Sequence, residues 1–162
     1  MKIRFLSVVA LGVAALFLAG CQTTATFSEV GKAVPAQERV AISEGRNTVT
    51  WKGPDITVDF TYARGQGRLD LTGRIVYADS LAYNYQLLRD FRLSALILDD
   101  SGRVIQTQPL ATNRGNFDPV SFQAALPLPS SAASISFSYQ GTALEVDEGG
   151  GNPTSFWYYP AR

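Results

Sequence analysis

The chain has 162 residues, of which 46% are apolar and 17% charged, with 14 basic and 14 acidic side chains, no histidine and one cysteine. This length suits one domain with a real hydrophobic core. Zero net charge gives no electrostatic reason to expect nucleic acid as a partner. The missing histidine removes the usual general base and the commonest metal ligand. A single cysteine also excludes an intramolecular disulfide and a cysteine-based zinc site.

The first twenty residues have the pattern of a secretory signal peptide. Lys2 and Arg4 precede fifteen uncharged, mostly apolar residues at positions 5–19. As a helix this run would span roughly 22 Å, which is less than the roughly 30 Å hydrocarbon core of a bilayer. We therefore predict a signal peptide over residues 1–20 rather than a membrane-spanning helix.

The end of this signal carries a more specific motif. Leu18, Ala19, Gly20 and Cys21 follow one another, which resembles the lipobox of bacterial lipoprotein precursors. In that family the chain is cut before the cysteine, the thiol is lipidated, and the new amino group is usually acylated as well. The resemblance implies a firm membrane anchor at Cys21, since two or more acyl chains, such as palmitate, hold a protein in a bilayer. The alternative is an ordinary signal that leaves a free thiol in an oxidising compartment.

The residue after the cysteine bears on which membrane holds the protein. In Gram-negative lipoproteins an aspartate at this position favours retention in the inner membrane, whereas here the residue is Gln22. For a Gram-negative source the resemblance therefore implies the outer membrane. It leaves open whether the domain faces the periplasm or the outside.

Residues 21–37 are predicted to be the lipidated cysteine and a flexible tether, and residues 38–162 the folded domain. The tether is rich in small and polar residues, and Gly31 and Pro35 interrupt any long pattern. A flexible segment of about 15 residues has an average reach of about 20 Å. We therefore expect the domain to stay close to the bilayer.

From residue 56 onward, apolar and polar residues alternate with the two-residue period of half-buried strands. Turn-forming residues separate these segments at the spacing that a β-sandwich requires. The pattern, with one short segment before residue 56, predicts an all-β, immunoglobulin-like antiparallel sandwich of about seven strands. The segments are 48–51, 56–62, 69–77, 91–98, 103–107, 120–126 and 133–140.

Four local features refine this prediction. Gly73 lies on the apolar face of its strand, where a bulge or a close-packed neighbour is the expected reason. Residues 91–98 are apolar on both faces, which is typical of a central, covered strand. Pro109 ends the next strand or places it at a sheet edge. Residues 80–90 fit a helix and a strand equally well, so we interpret them as a crossover between sheets with one or two helical turns.

The inventory of reactive side chains argues against catalysis. No histidine can activate a serine, and Cys21 is expected to carry lipid. A serine–lysine pair would need Lys32, in the tether, or Lys52, beside a Gly-Pro turn. Acidic side chains are available for glycosidase-type chemistry, but Asp59 and Asp70 fall on the polar faces of strands. We therefore expect no enzyme and no cofactor.

A calcium site needs only oxygen ligands, which this sequence supplies in two clusters. Oxygen-bearing side chains cluster at Asp99, Asp100 and Ser101, just before Gly102, and again at residues 145–148. Neither cluster has the spacing of an EF-hand loop. A solvated turn explains each cluster better, so we predict no metal site.

The C-terminus has the most unusual composition, with three glycines at positions 149–151 and then four consecutive aromatic residues. In one interpretation, Phe156 and Tyr158 close the sandwich as a final strand, after a permissive glycine turn. In the other, the rings form a surface that binds a sugar, a lipid or a partner. The candidate ligand-binding residues are Trp51, Trp157, Tyr158 and Tyr159.

These observations favour a lipid-anchored envelope protein that acts as a non-catalytic interaction or assembly module. Its expected partners are the membrane, through the acyl chains on Cys21, and an envelope protein. The mature domain is similar to immunoglobulin-like sandwich lipoproteins of bacteria, a resemblance that implies no site residue beyond Cys21. The alternative is a polysaccharide- or lipid-binding domain that uses surface aromatics.

Overall fold

A computed structural model of the protein describes residues 28–145 and 151–162. Nine strands, one short helix and one 3-10 turn lie within these residues. The 3-10 turn is Ala36–Glu38. In chain order the other elements are β1 (Val40–Ala41), β2 (Arg46–Lys52), β3 (Ile56–Gly65), β4 (Arg68–Tyr77), α1 (Asp79–Asn84), β5 (Leu87–Leu98), β6 (Val104–Gly115), β7 (Val120–Pro127), β8 (Ser134–Glu145) and β9 (Asn152–Tyr158).

The strands form two antiparallel sheets around a shared core, which confirms the predicted all-β sandwich. One sheet has the order β2-β3-β4-β7. In the other, β1 and β9 both pair with β8, and β5 and β6 follow. Strands β3 to β9 make the immunoglobulin-like arrangement, with three strands in one sheet and four in the other. Strands β1 and β2 are additions at the sheet edges.

All seven segments predicted to be strands are found as strands. The structure adds β1 and β9, and β9 contains the first three of the four aromatic C-terminal residues. Because β9 pairs with β8, the interpretation of this sequence as a final strand is confirmed. Phe156 is only 8% exposed and Tyr158 is half-buried, whereas Trp157 between them is 60% exposed.

The β3–β4 hairpin shows why its glycines are needed. The two strands pair without a register shift around a turn at Gly67, whose φ of +67° is a left-handed conformation that suits glycine. Gly73 of β4 lies opposite Phe60 of β3. A Cβ atom on Gly73 would lie 2.6 Å from the ring of Phe122 in β7. Close packing, rather than a bulge, is therefore the reason for glycine at this position.

Aromatic rings fill the space between the sheets. The ring of Phe137 in β8 lies 5.1 Å from that of Phe60 in β3 and 5.4 Å from that of Trp51 in β2, both edge-to-face. Phe91 of β5 stacks on Phe156 of β9 at 6.2 Å. Aromatic pairs of this kind contribute about 0.5–1.5 kcal/mol each beyond the area that they bury. The rings therefore help to hold both sheets and the last strand in register.

The segment after β4 crosses between the sheets, as predicted. Helix α1 lies in this crossover, and Leu81 is its buried residue. The N–H of Ala78, just before the helix, donates a hydrogen bond to the carbonyl of Asp55 at 2.8 Å. β5 begins at Leu87. Residues 80–90, which fitted a helix and a strand equally well, are therefore helical at their start and strand at their end.

β5 is central and covered on both faces, which confirms the prediction for this strand. Leu93 faces the core between the sheets, and Leu96 and Leu98 face outward, yet all three are fully buried. Among the described strands, β6 is an edge strand that pairs with β5, and its pairing is irregular beside Pro109. Pro109 therefore lies within an edge strand and does not end it, which is one of the two positions expected for this proline.

The folded domain begins earlier than the boundary predicted at residue 38. Glu29 and Val34 are buried. The N–H of Gly31 bonds to the carbonyl of Val104 at 2.8 Å, and the N–H of Val34 bonds to that of Gly102 at 2.9 Å. Residues 28–37 therefore belong to the domain, because backbone hydrogen bonds fix an extended segment whose composition resembles a linker. The other predicted tether residues, 21–27, lie outside the described part of the chain.

Candidate functional site

The outward face of the five-stranded sheet, which is turned away from the sandwich core, carries the candidate site. Side chains alternate across a strand, so residues between the core-facing positions of β8 point outward. Directly paired residues form rows across the strands. One row joins Trp157 of β9, Gln140 of β8, Arg92 of β5 and Thr112 of β6. We call these four residues the polar row.

The polar row lies on an open part of the surface. All four of its side chains are exposed. Neighbouring strands in a sheet are about 4.8 Å apart, so four strands place the ends of the row about 14 Å apart. The row therefore offers an extended line of polar and aromatic side chains on a rigid support.

The other half of this outward face is covered by the two ends of the domain, residues 28–35 and 159–162, which we call the strap. Its two pieces are joined by a pair of backbone hydrogen bonds between Ala33 and Arg162, of 2.9 and 3.0 Å. Val34 and Ala161 of the strap pack on the sheet in a second small core. The sheet residues of this core are Leu96, Leu98 and Val104.

Glu29 lies at the border between the strap and the open surface. Its side chain is only 4% exposed. The hydroxyl of Ser138 in β8 donates a hydrogen bond to Oε2 of Glu29 at 2.8 Å. The other oxygen, Oε1, is buried and has no hydrogen-bond partner among the described residues. A buried carboxylate oxygen without a partner is costly, so a hydrogen-bond donor placed there would be stabilising.

The electrostatics of Glu29 follow from this burial. Desolvation raises the pKa of its carboxyl group, because burial disfavours the charged form. The hydrogen bond from Ser138 and the positive charge of Lys32 lower the pKa, but they offset the rise only in part. Glu29 is therefore a carboxyl group that its surroundings do not fully satisfy.

Tyr159 and Gln140 form a hydrogen-bonded pair beside Glu29. The Tyr159 hydroxyl donates to Oε1 of Gln140 at 2.6 Å. Burial raises the pKa of Tyr159, and the negative charge of Glu29 raises it further. Since Gln140 also belongs to the polar row, this pair links the row to the strap.

Two surface pockets share the Tyr159–Gln140 pair as part of their walls, and we call them together the furrow. The larger has a volume of about 830 Å³ and contains Glu29 and Arg92 in its lining. The smaller has a volume of about 330 Å³ and is lined in part by Trp157. Both volumes lie in the range of small-molecule sites, about 300–1,000 Å³.

The lining of the larger pocket combines hydroxyl groups with apolar surface. Thr107 of β6 lies in it, and its hydroxyl oxygen is buried without a hydrogen-bond partner among the described residues. Pro109 and Leu110 add apolar surface. The pocket therefore combines several polar groups with enough apolar area to exclude water from part of a ligand.

The four aromatic residues expected to bind a ligand do not form one surface. Trp51 is 4% exposed and packs between Phe137 and Tyr158 in the core, with ring distances of 5.4 and 6.0 Å. Trp157 and Tyr159 line the furrow. Trp157 and Tyr158 are consecutive residues of a strand, so their side chains lie on opposite faces of the sheet and cannot share one surface. The structure therefore keeps two of the four residues at the candidate surface and assigns Trp51 and Tyr158 to the core.

Cys21, the predicted lipidation site, lies outside the described residues. Among residues 28–145 and 151–162, no helix has the length and apolar character needed to span a membrane.

The turn at Asp99 is stabilised by its own hydrogen bonds. Oδ1 of Asp99 accepts from the hydroxyl of Ser101 at 2.7 Å and from the N–H of Arg103 at 2.9 Å. These bonds lower the pKa of Asp99. They account for the clustered oxygens without a cation, and the described part of the chain contains no group of side chains suited to hold a metal ion. Most of the second candidate, residues 146–148, lies outside that part.

Sequence reasoning did not single out Glu29, Arg92 or Gln140 as site residues. Gln140 had a usable signal, because the alternation over residues 133–140 makes it outward and polar. Glu29 had no such signal in the sequence, since it stood in a segment expected to be a tether.

Comparison of the sequence with protein-family models and with curated protein sequences gave no match.

Proposed function

We propose that this protein is a lipid-anchored lipoprotein of the cell envelope whose sandwich domain is a non-catalytic interaction module. The lipobox-like residues 18–21 and the apolar run before them support an acylated Cys21. Gln22 supports the outer membrane for a Gram-negative source. The absence of histidine and the assignment of the one cysteine to lipid support a role without catalysis.

The furrow is the binding surface in this proposal. The observation that carries it is the Oε1 atom of Glu29, a buried carboxylate oxygen that has no hydrogen-bond partner among the described residues, on a side chain that lines the larger pocket. Buried polar atoms in folded proteins almost always have partners, so an exception in a pocket points to a ligand. A ligand that donates a hydrogen bond to this oxygen would satisfy it.

Membrane fractionation tests the anchor. In the source organism, the protein should sediment with membranes, and Cys21→Ser should release it or leave an unprocessed precursor. Ser130→Ala, an exposed turn residue in the folded domain, is the matched control and should behave as the unchanged protein. Membrane fractionation of Cys21→Ser that equals that of the control would contradict the anchor.

Photo-crosslinking tests the binding surface. Benzoylphenylalanine at Thr112 or Trp157 places the reactive group at the furrow. The same group at Thr72, which is exposed on the outward face of the other sheet, is the control. Irradiation of intact cells should give adducts from the two furrow positions and none from position 72. Adducts that form equally at all three positions would contradict the furrow as the binding surface.

A further inference from the structure

The furrow combines hydrogen-bond donors and acceptors at fixed, closely spaced positions. Oε1 of Glu29 is a buried acceptor that has no hydrogen-bond partner among the described residues. Gln140 uses its amide oxygen to accept from Tyr159, which leaves its amide nitrogen to donate. The guanidinium of Arg92, next to Gln140 in the polar row, carries five N–H donors. A matching ligand must therefore both donate and accept within a short distance, as neighbouring hydroxyl groups of a sugar do.

The shape of the surface favours an extended ligand over a compact one. The polar row crosses four strands, and the two pockets meet at the Tyr159–Gln140 pair. A ligand that occupied both pockets would pass across this pair. A chain of linked rings has this form.

Trp157 adds an aromatic surface at one end of the furrow. It lines the smaller pocket and is 60% exposed, although the residues on either side of it face the core. The face of an aromatic ring carries partial negative charge, and it attracts the polarised C–H groups of a flat apolar surface. One face of a sugar ring presents such C–H groups, while its hydroxyl groups point to the sides.

The charges around Glu29 argue against a cationic ligand. The positive charge of Lys32 already acts on the Glu29 carboxyl, and Arg92 lines the same pocket. A second ammonium group would meet both cations.

We propose that the furrow binds a glycan strand, with Glu29 and Gln140 bonding to sugar hydroxyl groups in the larger pocket and Trp157 stacking on a sugar ring in the smaller one. This inference rests on the proposed function, because it names the ligand of the same surface. Glu29 accepts a hydroxyl hydrogen at Oε1 while Ser138 holds Oε2. Because Oε1 is buried, the groups that cover it must shift when the ligand hydrogen bond forms, while the bond from Ser138 to Oε2 keeps the strap attached.

Binding of defined oligosaccharides by the full-length acylated protein in detergent tests this proposal. The probes are chitohexaose, cellohexaose and purified peptidoglycan sacculi, measured by tryptophan fluorescence, by NMR of labelled protein, and by co-sedimentation for the sacculi. We expect at least one probe to bind and to shift the side-chain signals of Gln140, Arg92 and Trp157. Glu29→Gln and Trp157→Ala should each weaken that binding about ten-fold or more, the effect of losing one charge-assisted hydrogen bond or one stacked ring.

Matched controls separate the furrow from the rest of the surface. Thr72→Ala and Arg74→Ala lie on the exposed outward face of the other sheet and should leave binding unchanged. Because Trp157 is exposed, its replacement should not prevent folding, and it keeps the test valid even if a Glu29 variant is unstable. Failure of every probe to bind, or binding that neither variant weakens, would overturn the glycan inference.

The outcomes also distinguish this inference from the proposed function. Furrow-specific crosslinks to a protein, with no binding of any glycan probe, would overturn the glycan inference and retain the furrow as the interaction surface. The lack of both crosslinks and glycan binding would overturn both. Shortening of a bound oligosaccharide during incubation would contradict the non-catalytic role while it supported a glycan ligand.

Discussion

The hydroxyl group of Ser138 donates a hydrogen bond to Oε2 of Glu29 over 2.8 Å and so joins two residues that are 109 positions apart in the sequence. Ser138 belongs to β8, in the interior of its sheet, and Glu29 belongs to the strap at the surface. One oxygen of Glu29 therefore serves the fold, and the other is buried beside the furrow without a hydrogen-bond partner among the described residues. The same burial that positions the carboxyl group makes its charged form costly.

The stability of the protein should depend on the ionisation of Glu29. Burial raises its pKa above the ordinary value of 4.5, so the folded state holds the proton more tightly than the unfolded state. The protonated Glu29 carboxyl therefore stabilises the folded state fully below about pH 4.5. This stabilisation is lost as the pH rises through the folded-state pKa. Glu29→Gln cannot ionise, so its stability relative to the unchanged protein should increase from about pH 4 to about pH 8. Urea unfolding over this range measures the difference.

Glu44→Gln is the control for this pH series. The Glu44 side chain is 85% exposed and pairs only loosely with Arg64, at 3.5 Å. Surface pairs of this kind contribute little, about 0–1 kcal/mol. The stability difference for Glu44→Gln should therefore change little with pH. A Glu29→Gln difference that is equally flat would contradict a raised pKa.

Gly73→Ala should destabilise the four-stranded sheet. The new Cβ would lie 2.6 Å from the Phe122 ring and 2.8 Å from the carbonyl oxygen of Asp59, too close for either to remain in place. Overpacking of this kind costs about 1–3 kcal/mol. At Gly65 in the same hairpin, the nearest atom would be 3.7 Å away, an ordinary contact. Thermal unfolding should therefore separate Gly73→Ala from a near-neutral Gly65→Ala, and equal effects would disprove the packing explanation.

Two neighbouring aromatic residues of β9 should respond in opposite ways to truncation. Phe156 is 8% exposed and stacks against Phe91, so Phe156→Ala should cost about 3 kcal/mol or more of unfolding free energy. Trp157 is 60% exposed, so Trp157→Ala should stay within about 0.5 kcal/mol of the unchanged protein. Chemical denaturation measures both. The assignment of faces in β9 fails if Trp157→Ala is the more damaging change.

Tyr139→Phe should loosen the segment that precedes β3. The Tyr139 hydroxyl donates to Oδ2 of Asp55 at 2.8 Å and accepts from the backbone N–H of Asp55 at 3.0 Å. Loss of the Tyr139 hydroxyl removes this hydrogen-bond partner from both Oδ2 and the N–H of Asp55, which are partly buried, and costs about 1–3 kcal/mol of unfolding free energy. Tyr83→Phe is the control, because Tyr83 is 89% exposed. Thermal unfolding and hydrogen exchange of the Asp55 amide should both detect the first change, and an Asp55 amide that exchanges at its original rate would refute it.

The strands could be predicted because their signal is local. Residues such as Val58 and Phe60 repeat with the period that burial of one sheet face imposes, and the pattern fixes both position and face. The same logic separates Phe156 from Trp157 once the segment is taken as a strand. Such patterns depend only on residues a few positions apart, so the sequence contains them in full.

The candidate site could be predicted only in part, because its contacts are long-range. Glu29 meets Ser138, and Ala33 meets Arg162, across most of the length of the chain, and neither pair leaves a periodic trace. Backbone hydrogen bonds hold residues 31–34, and these do not depend on side-chain type. A composition typical of a linker therefore predicted a tether where the structure has part of the domain.

The early start of the packed strap limits how far the domain can travel from a lipid anchor. Ser28 opens the described chain, and only seven peptide units separate it from Cys21. At most about 3.6 Å per residue is available, so this connection cannot exceed about 25 Å. Glu29 is the next residue, so an anchored protein would hold the Glu29 end of the furrow within about 29 Å of the bilayer surface. Under the proposed anchor, the ligand must then be a molecule that reaches the layer immediately next to the membrane.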